Sequence, residues 1–123
     1  MKLIIALCVL GTVLSHFSQD LVDKYSIEII KLGDSEEHPQ PNNVVEVHYT
    51  GHLTNGNKFD SSKDRNSPFK FYVGKKQVIT CWDEVVLSMA VGDHVKIKCP
   101  YQTAYGERSV GPIPAKSDLL FEI

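Results

Sequence analysis

Asp60, Arg65, Gln77 and the hydroxyls of Tyr49 and Tyr105 are the few polar groups that fall among a dense set of aromatic residues in this chain. The aromatics are Tyr49, Phe59, Phe69, Phe71, Trp82, Tyr105 and Phe121, and Trp82 is the single tryptophan. An apolar cup with one or two hydrogen-bonding groups takes up small apolar ligands and orients them. The same residues would serve equally well as the plain core of a small domain. Other chemistries find no support. There is no G-x-S-x-G, no glycine-rich phosphate loop, and no histidine at nucleophile spacing from a cysteine. His48 and His52 are four apart, but His48 falls on the outward face of a strand and His52 lies beyond Gly51, which reads as a surface pair. No metal and no cofactor is expected.

These residues need elements to hold them. Val45, Val47 and Tyr49 alternate with Glu46, His48 and Thr50, the period of a half-buried strand. Asn55-Gly56 marks a tight turn. Phe69, Phe71 and Val73 share one face of a strand that begins after Pro68 and ends at Gly74. Thr80 followed by Asp83 has capping-box spacing, and Ile79, Trp82, Val86 and Met89 recur on one helical face before Gly92. This predicts the one helix of the domain, short enough to depend on tertiary packing. Val95, Ile97 and Cys99, then Leu119, Phe121 and Ile123, form two further inward stripes. Tyr25 to Leu32 reads as a strand, Asp20 to Lys24 as a polar lead-in, and Tyr101 to Ala115 as a loop long enough to be functional. The result is an α+β fold with five or six short antiparallel strands and one short helix.

The chain has 123 residues, 42% hydrophobic and 23% charged, which bounds it to one globular domain. A net charge of −2 with scattered Lys and Arg excludes a nucleic-acid binder. The N-terminus departs from this composition. Met1-Lys2 precedes an uncharged run from Leu3 to Leu14, with small residues near Val13 and Ser15, as in a secretory signal peptide. The run is shorter than the ~20 residues a membrane span needs. Residues 1–18 are therefore read as a cleaved signal, or else as a retained hydrophobic segment, and residues 19–123 as the folded domain. Cys8 lies in that segment. Cys81 and Cys99, with no CxxC and no His partner, read first as two buried thiols, although an oxidising compartment would also let them pair.

A larger pattern runs through Val47-His48-Tyr49-Thr50-Gly51, Asn55 to Ser62, Pro68-Phe69 to Gly74, Val78-Ile79 to Trp82, Ala104-Tyr105-Gly106-Glu107-Arg108, Ile113-Pro114 and Leu120-Phe121-Glu122. In this order and with these gaps, the chain from about residue 25 to 123 closely resembles the FKBP-type peptidyl-prolyl isomerases, the tacrolimus- and rapamycin-binding immunophilins. The resemblance implies a twisted antiparallel sheet wrapped around the helix, with the pocket between them. It implies Trp82 as floor, Tyr49, Phe59, Phe69 and Phe121 as walls, Val78 and Ile79 as backbone groups at the rim, Asp60 and Tyr105 as polar contacts, and Ile113 on a flap loop. Gln77 joins them on the substrate side.

The implied activity is rotation of X–Pro bonds in client polypeptides by a monomer without a cofactor, open to tacrolimus and rapamycin. The leader would place it in the secretory pathway, in the lumen of the endoplasmic reticulum or outside the cell, or on a membrane if the leader is retained. The alternative is a non-catalytic FKBP-like binding or structural subunit anchored by that segment. Departures from the family pattern are Cys81 in place of a glycine, Thr103 in place of an aromatic, a flap about one residue short at Gly111 to Ala115, and a last strand trimmed at Ile123. Family members with cysteines at both positions make a Cys81–Cys99 disulfide an option. The flap changes bear on substrate preference and drug affinity.

Overall fold

The computed structural model describes residues 17–123, so Cys8, His16 and most of the expected leader lie outside the described residues. In order, the elements are α1 (Gln19–Tyr25), β1 (Glu28–Lys31), β2 (Val44–Val47), β3 (Thr50–Leu53), β4 (Lys58–Ser61), β5 (Phe69–Tyr72), α2 (Thr80–Ser88), β6 (His94–Cys99), a 3-10 turn at Tyr101–Thr103, and β7 (Leu119–Glu122). Five strands make one antiparallel sheet in the order β1-β6-β7-β3-β4, and β2 and β5 form a separate antiparallel pair. The α+β class and the antiparallel sheet agree with the sequence reading, while the strands among the described residues number seven in two sheets.

The run Val45 to Tyr49 is not one strand, because β2 ends at Val47 and the chain changes partners. Buried Ser62 is the cause. Its Oγ accepts the Tyr49 N–H at 2.8 Å, and its N–H donates to the Tyr49 carbonyl at 3.0 Å. These bonds satisfy the Tyr49 backbone outside any ladder and let β2 leave the main sheet for β5.

The stretch expected as a polar lead-in is α1, a second helix. Ser18 caps it by accepting the Leu21 N–H, Asp20 sits in its first turn and Lys24 in its last, and Ser26 ends it at φ 48°. Seven residues cannot hold a helix alone. Tyr25 and Phe17 are both buried in the core, and the Tyr25 hydroxyl donates to Glu84 of α2. Lys24 pairs with the same carboxylate at 3.2 Å. Burial, then the hydrogen bond and charge of Glu84, push the Tyr25 hydroxyl far above its ordinary pKa. The expected strand from Tyr25 accordingly begins only at Glu28.

Val95, Ile97 and Cys99 point inward and are almost fully buried, as alternation predicts. Among the described residues no helix is long and apolar enough to cross a membrane.

Cys81 and Cys99 are joined in a disulfide, with Cα atoms 5.7 Å apart, so they are not the free thiols read from composition. The bond ties the first turn of α2 to the end of β6 across a separation of 18 residues. Closing a loop of that size stabilises by about 3 kcal/mol. Urea unfolding of the Cys81→Ala/Cys99→Ala double variant should show a loss of that order, and an unchanged midpoint would assign the stability elsewhere.

Candidate functional site

Trp82 sits in the first turn of α2 because that turn is fixed on several sides. Ile79, in extended conformation (φ −58°, ψ 149°), is the N-cap residue and makes no side-chain capping bond. Its carbonyl accepts from the N–H groups of Trp82 (3.0 Å) and Asp83 (3.2 Å). Thr80, expected as the cap, is the first helical residue. Asp83 does not close a capping box. Its carboxylate accepts from the N–H groups of Gly74 (2.9 Å) and Lys76 (3.0 Å), fastening the loop after β5 to the helix.

The indole then meets four rings. Tyr49 stands edge-on at 4.8 Å between centroids, Phe121 edge-on at 5.2 Å, Phe69 edge-on at 6.1 Å and Phe71 tilted at 5.9 Å. Phe59 continues the wall, edge-on to Phe121 at 5.7 Å. Such contacts favour fixed ring angles over a fluid core. Phe71, stacked on Phe69, was legible as an inward aromatic but not as a site residue.

Gly51 makes the Phe59–Phe121 wall possible. A Cβ there would lie 2.5 Å from Phe59 Cζ and 2.8 Å from Phe121 Cε1. The two rings cross the strand over bare backbone. A glycine inside a strand at a close approach is the available sequence signal for this.

The polar groups gather on one side. Asp60 accepts hydrogen bonds from the Tyr49 hydroxyl and from Arg65, and Arg65 Nη2 donates to the Tyr49 oxygen at 3.1 Å. The guanidinium also lies 5.9 Å from the Tyr49 ring centre. Burial opposes ionisation of Asp60, but the bonds from Tyr49 and Arg65 and the charge of Arg65 outweigh it and lower its pKa. Asp60 is therefore a carboxylate at neutral pH. Burial and the hydrogen bond to Asp60 raise the Tyr49 pKa, and burial and the Asp60 charge raise that of Tyr105.

Tyr105 stays a phenol and, among the described residues, makes no hydrogen bond through its hydroxyl. The Ile79 N–H is likewise without a backbone acceptor among them. These two donors remain uncommitted at the rim, next to half-buried Val78. Trp82 Nε1 is buried in the floor without a partner.

Gln77 is placed differently from its neighbours in the expectation. Its Oε1 accepts the Tyr72 N–H at 2.8 Å, so its carbonyl serves the end of β5. Ile113 is buried and forms an isolated bridge with Val110, two bonds of 2.9 Å that close the tip of the flap. A bond from the Lys116 N–H to the Gly106 carbonyl pins the base of that loop at 2.9 Å. Tyr49, Phe71, Trp82 and Phe121 thus share one buried cluster, with Phe59, Val78, Ile79 and Tyr105 packed against it, and Phe69 joins it at the rim through its ring contacts with Tyr49 and Trp82. Among the described residues no group of His, Cys, Asp and Glu could hold a metal ion.

Gly51→Ala should force Phe59 and Phe121 apart at a cost of about 1–3 kcal/mol, the usual range for overpacking. Urea unfolding and the near-ultraviolet circular dichroism of the ring cluster would register it. An unaltered spectrum and midpoint would mean the rings do not need the bare backbone.

Residues 35–123 match the family described as FKBP-type peptidyl-prolyl cis-trans isomerase. The chain is similar to peptidyl-prolyl cis-trans isomerase Fkbp12 of Drosophila melanogaster, 49% identical over 92 residues that cover 74% of this chain and 85% of the fly protein. It is similar to FK506-binding protein 1 of Debaryomyces hansenii, 44% identical over 98 residues, 79% of this chain and 88% of the relative. Peptidyl-prolyl cis-trans isomerase FKBP1A of Xenopus laevis is also 44% identical over 98 residues, 79% of this chain and 91% of the frog protein.

Proposed function

We propose, from the premise that this chain belongs to the FKBP-type peptidyl-prolyl cis-trans isomerases, that its Trp82 cup binds the twisted X–Pro amide of client polypeptides. The chain is a prolyl isomerase. What remains is how these residues perform the reaction and where.

The planar amide resists rotation with a barrier of ~18–20 kcal/mol, because resonance gives the C–N bond double-bond character. Resonance also separates charge, so the planar form is better solvated by water than the twisted one. A proline ring lying against Trp82, inside walls from Tyr49, Phe59, Phe69 and Phe121, leaves water behind. That loss falls more heavily on the planar ground state than on the twisted transition state, which is differential binding without covalent chemistry. The free Ile79 N–H and Tyr105 O–H are donors for carbonyls held out of plane. The Asp60–Tyr49–Arg65 knot holds one wall rigid. The observation that carries this reading is the indole caged by four rings, three of them edge-on, with the uncommitted Ile79 N–H and Tyr105 O–H at the rim. A non-catalytic module would not need that arrangement.

Three finer assignments belong to the same proposal. Tacrolimus (FK506) and rapamycin bind the cup, a reading that the name of the Debaryomyces hansenii relative, FK506-binding protein 1, supports for tacrolimus. Clients are proline-containing chains with an apolar residue before the proline, which Phe69 at the open rim accommodates. The working compartment is the secretory pathway. The leader-like run from Leu3 to Leu14 supports it, and so does the Cys81–Cys99 disulfide, a bond that persists in oxidising surroundings.

Isomerisation of a short Leu-Pro peptide should be catalysed and then blocked by tacrolimus. Tyr105→Phe should lower kcat/KM a few-fold and Asp60→Val about tenfold, read as transition-state free energies. Activity that tacrolimus leaves untouched would move the site out of the cup. The burial of Phe17 supports a cleavage point before it, inside the residues 1–18 read from the sequence as the leader. Mass spectrometry of protein secreted from a eukaryotic host should find His16 as the first residue, and a retained Met1 would overturn the secretory assignment.

A further inference from the structure

Tyr105 carries one of the two uncommitted donors at the rim of the cup. Its hydroxyl has no hydrogen-bond partner among the described residues, so the aim of the phenol depends on the turn that carries it. That turn is stiff within itself. The Thr103 N–H donates to the Pro100 carbonyl at 2.8 Å, and the N–H groups of Ala104 (3.1 Å) and Gly106 (2.9 Å) both donate to the Tyr101 carbonyl. The Thr103 hydroxyl donates to the Pro100 carbonyl at 2.7 Å. Residues 100–106 therefore behave as a unit, and Tyr105 faces Trp82 only as well as this unit is fixed against α2.

The sheet holds one end of it. The Tyr101 N–H donates to Asp118, next to the start of β7, at 2.9 Å. The Cys81–Cys99 disulfide joins the first turn of α2 to the chain just before the unit. One link sets a distance and leaves the angle open.

Tyr25 supplies a second. Its ring is fully buried, its hydroxyl donates to Glu84, and the Thr103 side chain is a further hydrogen-bond partner of that same hydroxyl. Glu84 is two residues after Trp82, and Thr103 is two residues before Tyr105. Cys81 and Glu84 are three apart in a helix and so are neighbours on its surface, which places the two links about one turn from each other. Two points fix an angle. The Lys24–Glu84 pair at the same corner is a lesser candidate, because both side chains are well exposed and pairs of that kind contribute little. α1 lies before residues 35–123, so Tyr25 comes from an element that the family match does not cover.

We propose, on the reading of the Trp82 cup as the prolyl site, that Tyr25 is a positioning residue of the isomerase, its buried hydroxyl joining Glu84 to Thr103 and so setting the angle at which the Tyr105 phenol faces the Trp82 floor. Tyr25 touches no substrate and acts through Tyr105.

Isomerisation of the Leu-Pro peptide by the full chain, measured across substrate concentrations, separates kcat from KM. Tyr25→Phe keeps the buried ring and removes only the hydroxyl. Glu84 still has Lys24 and Thr103 still has the Pro100 carbonyl, so the substitution orphans no partner and the variant folds. It should lower kcat about threefold and leave KM as it was, the pattern of an interaction made in the transition state. Tyr105→Phe should do about as much, and adding Tyr25→Phe to it should cost nothing further, since residues that act as one unit are not additive. Glu84→Ala should match Tyr25→Phe, and Glu84→Gln, whose amide oxygen still accepts from the phenol, should restore most of the loss. Catalysis by the wild type that tacrolimus blocks tests the cup by itself. An inactive wild type would overturn that reading and this role with it, whereas an active wild type with an unaffected Tyr25→Phe would overturn this role alone. A loss carried by KM, or an equal further loss in the Tyr105→Phe background, would overturn it too.

Discussion

The first turn of α2 is the constraint on which the site depends. Trp82 meets Tyr49 and Phe121 edge-on only if that turn begins at one place and one angle, and nine residues of helix cannot fix this by themselves. Three interactions of different kinds do so. The disulfide ties Cys81 to the end of β6, Asp83 binds two amides of the preceding loop, and Glu84 takes Tyr25 and Lys24 from α1. Successive residues 81 to 84 thus point to the core strand, the floor, the β5 loop and the N-terminal helix. A helix turn presents its residues about 100° apart, so four consecutive positions reach four surroundings.

The polarity of the site is arranged by depth. Four rings stand around the buried indole, and its N–H is left without a partner, a cost of about 1–3 kcal/mol that packing must offset. Charge is present in the cup, but it is already neutralised. Asp60 is held by Tyr49 and Arg65, and its lowered pKa reflects how fully they satisfy it. A free carboxylate beside the floor would draw water inward. A bound one lends rigidity, and its charge adds to burial in raising the Tyr105 pKa, so that phenol stays a donor.

Much of this was legible in the sequence because ring positions follow simple periods. Val95, Ile97 and Cys99 follow strand alternation, and Trp82 with Val86 and Met89 follows a helical stripe. Other features escaped for physical reasons. Asp83 has the spacing of a cap, yet its carboxylate reaches back to amides seven and nine residues earlier, a contact no local motif encodes. α1 reads as a polar segment because its stability comes from Phe17, Tyr25 and Glu84, not from a long apolar stripe. The cysteines carry no motif, and only the approach of helix start to strand end brings them together. The break between β2 and β3 is invisible in a clean alternation, since it is set by Ser62, thirteen residues beyond Tyr49. Gln77 was named for its type, and the strand end claims its carbonyl.

That break has a further result. By leaving the main sheet after Val47, β2 can pair with β5 and carry Phe69 and Phe71 to the indole. Val47 is the register partner of Phe69, so a single backbone pairing joins β2 to the rim of the cup. That pairing restrains, through the ladder, the ring at the mouth of the pocket. Phe69 is also the most exposed of the rings around Trp82, and so the one most open to such restraint. The coupling needs no movement of α2, whose first turn is tied on three sides. It would act on entry at the rim and leave the floor unchanged.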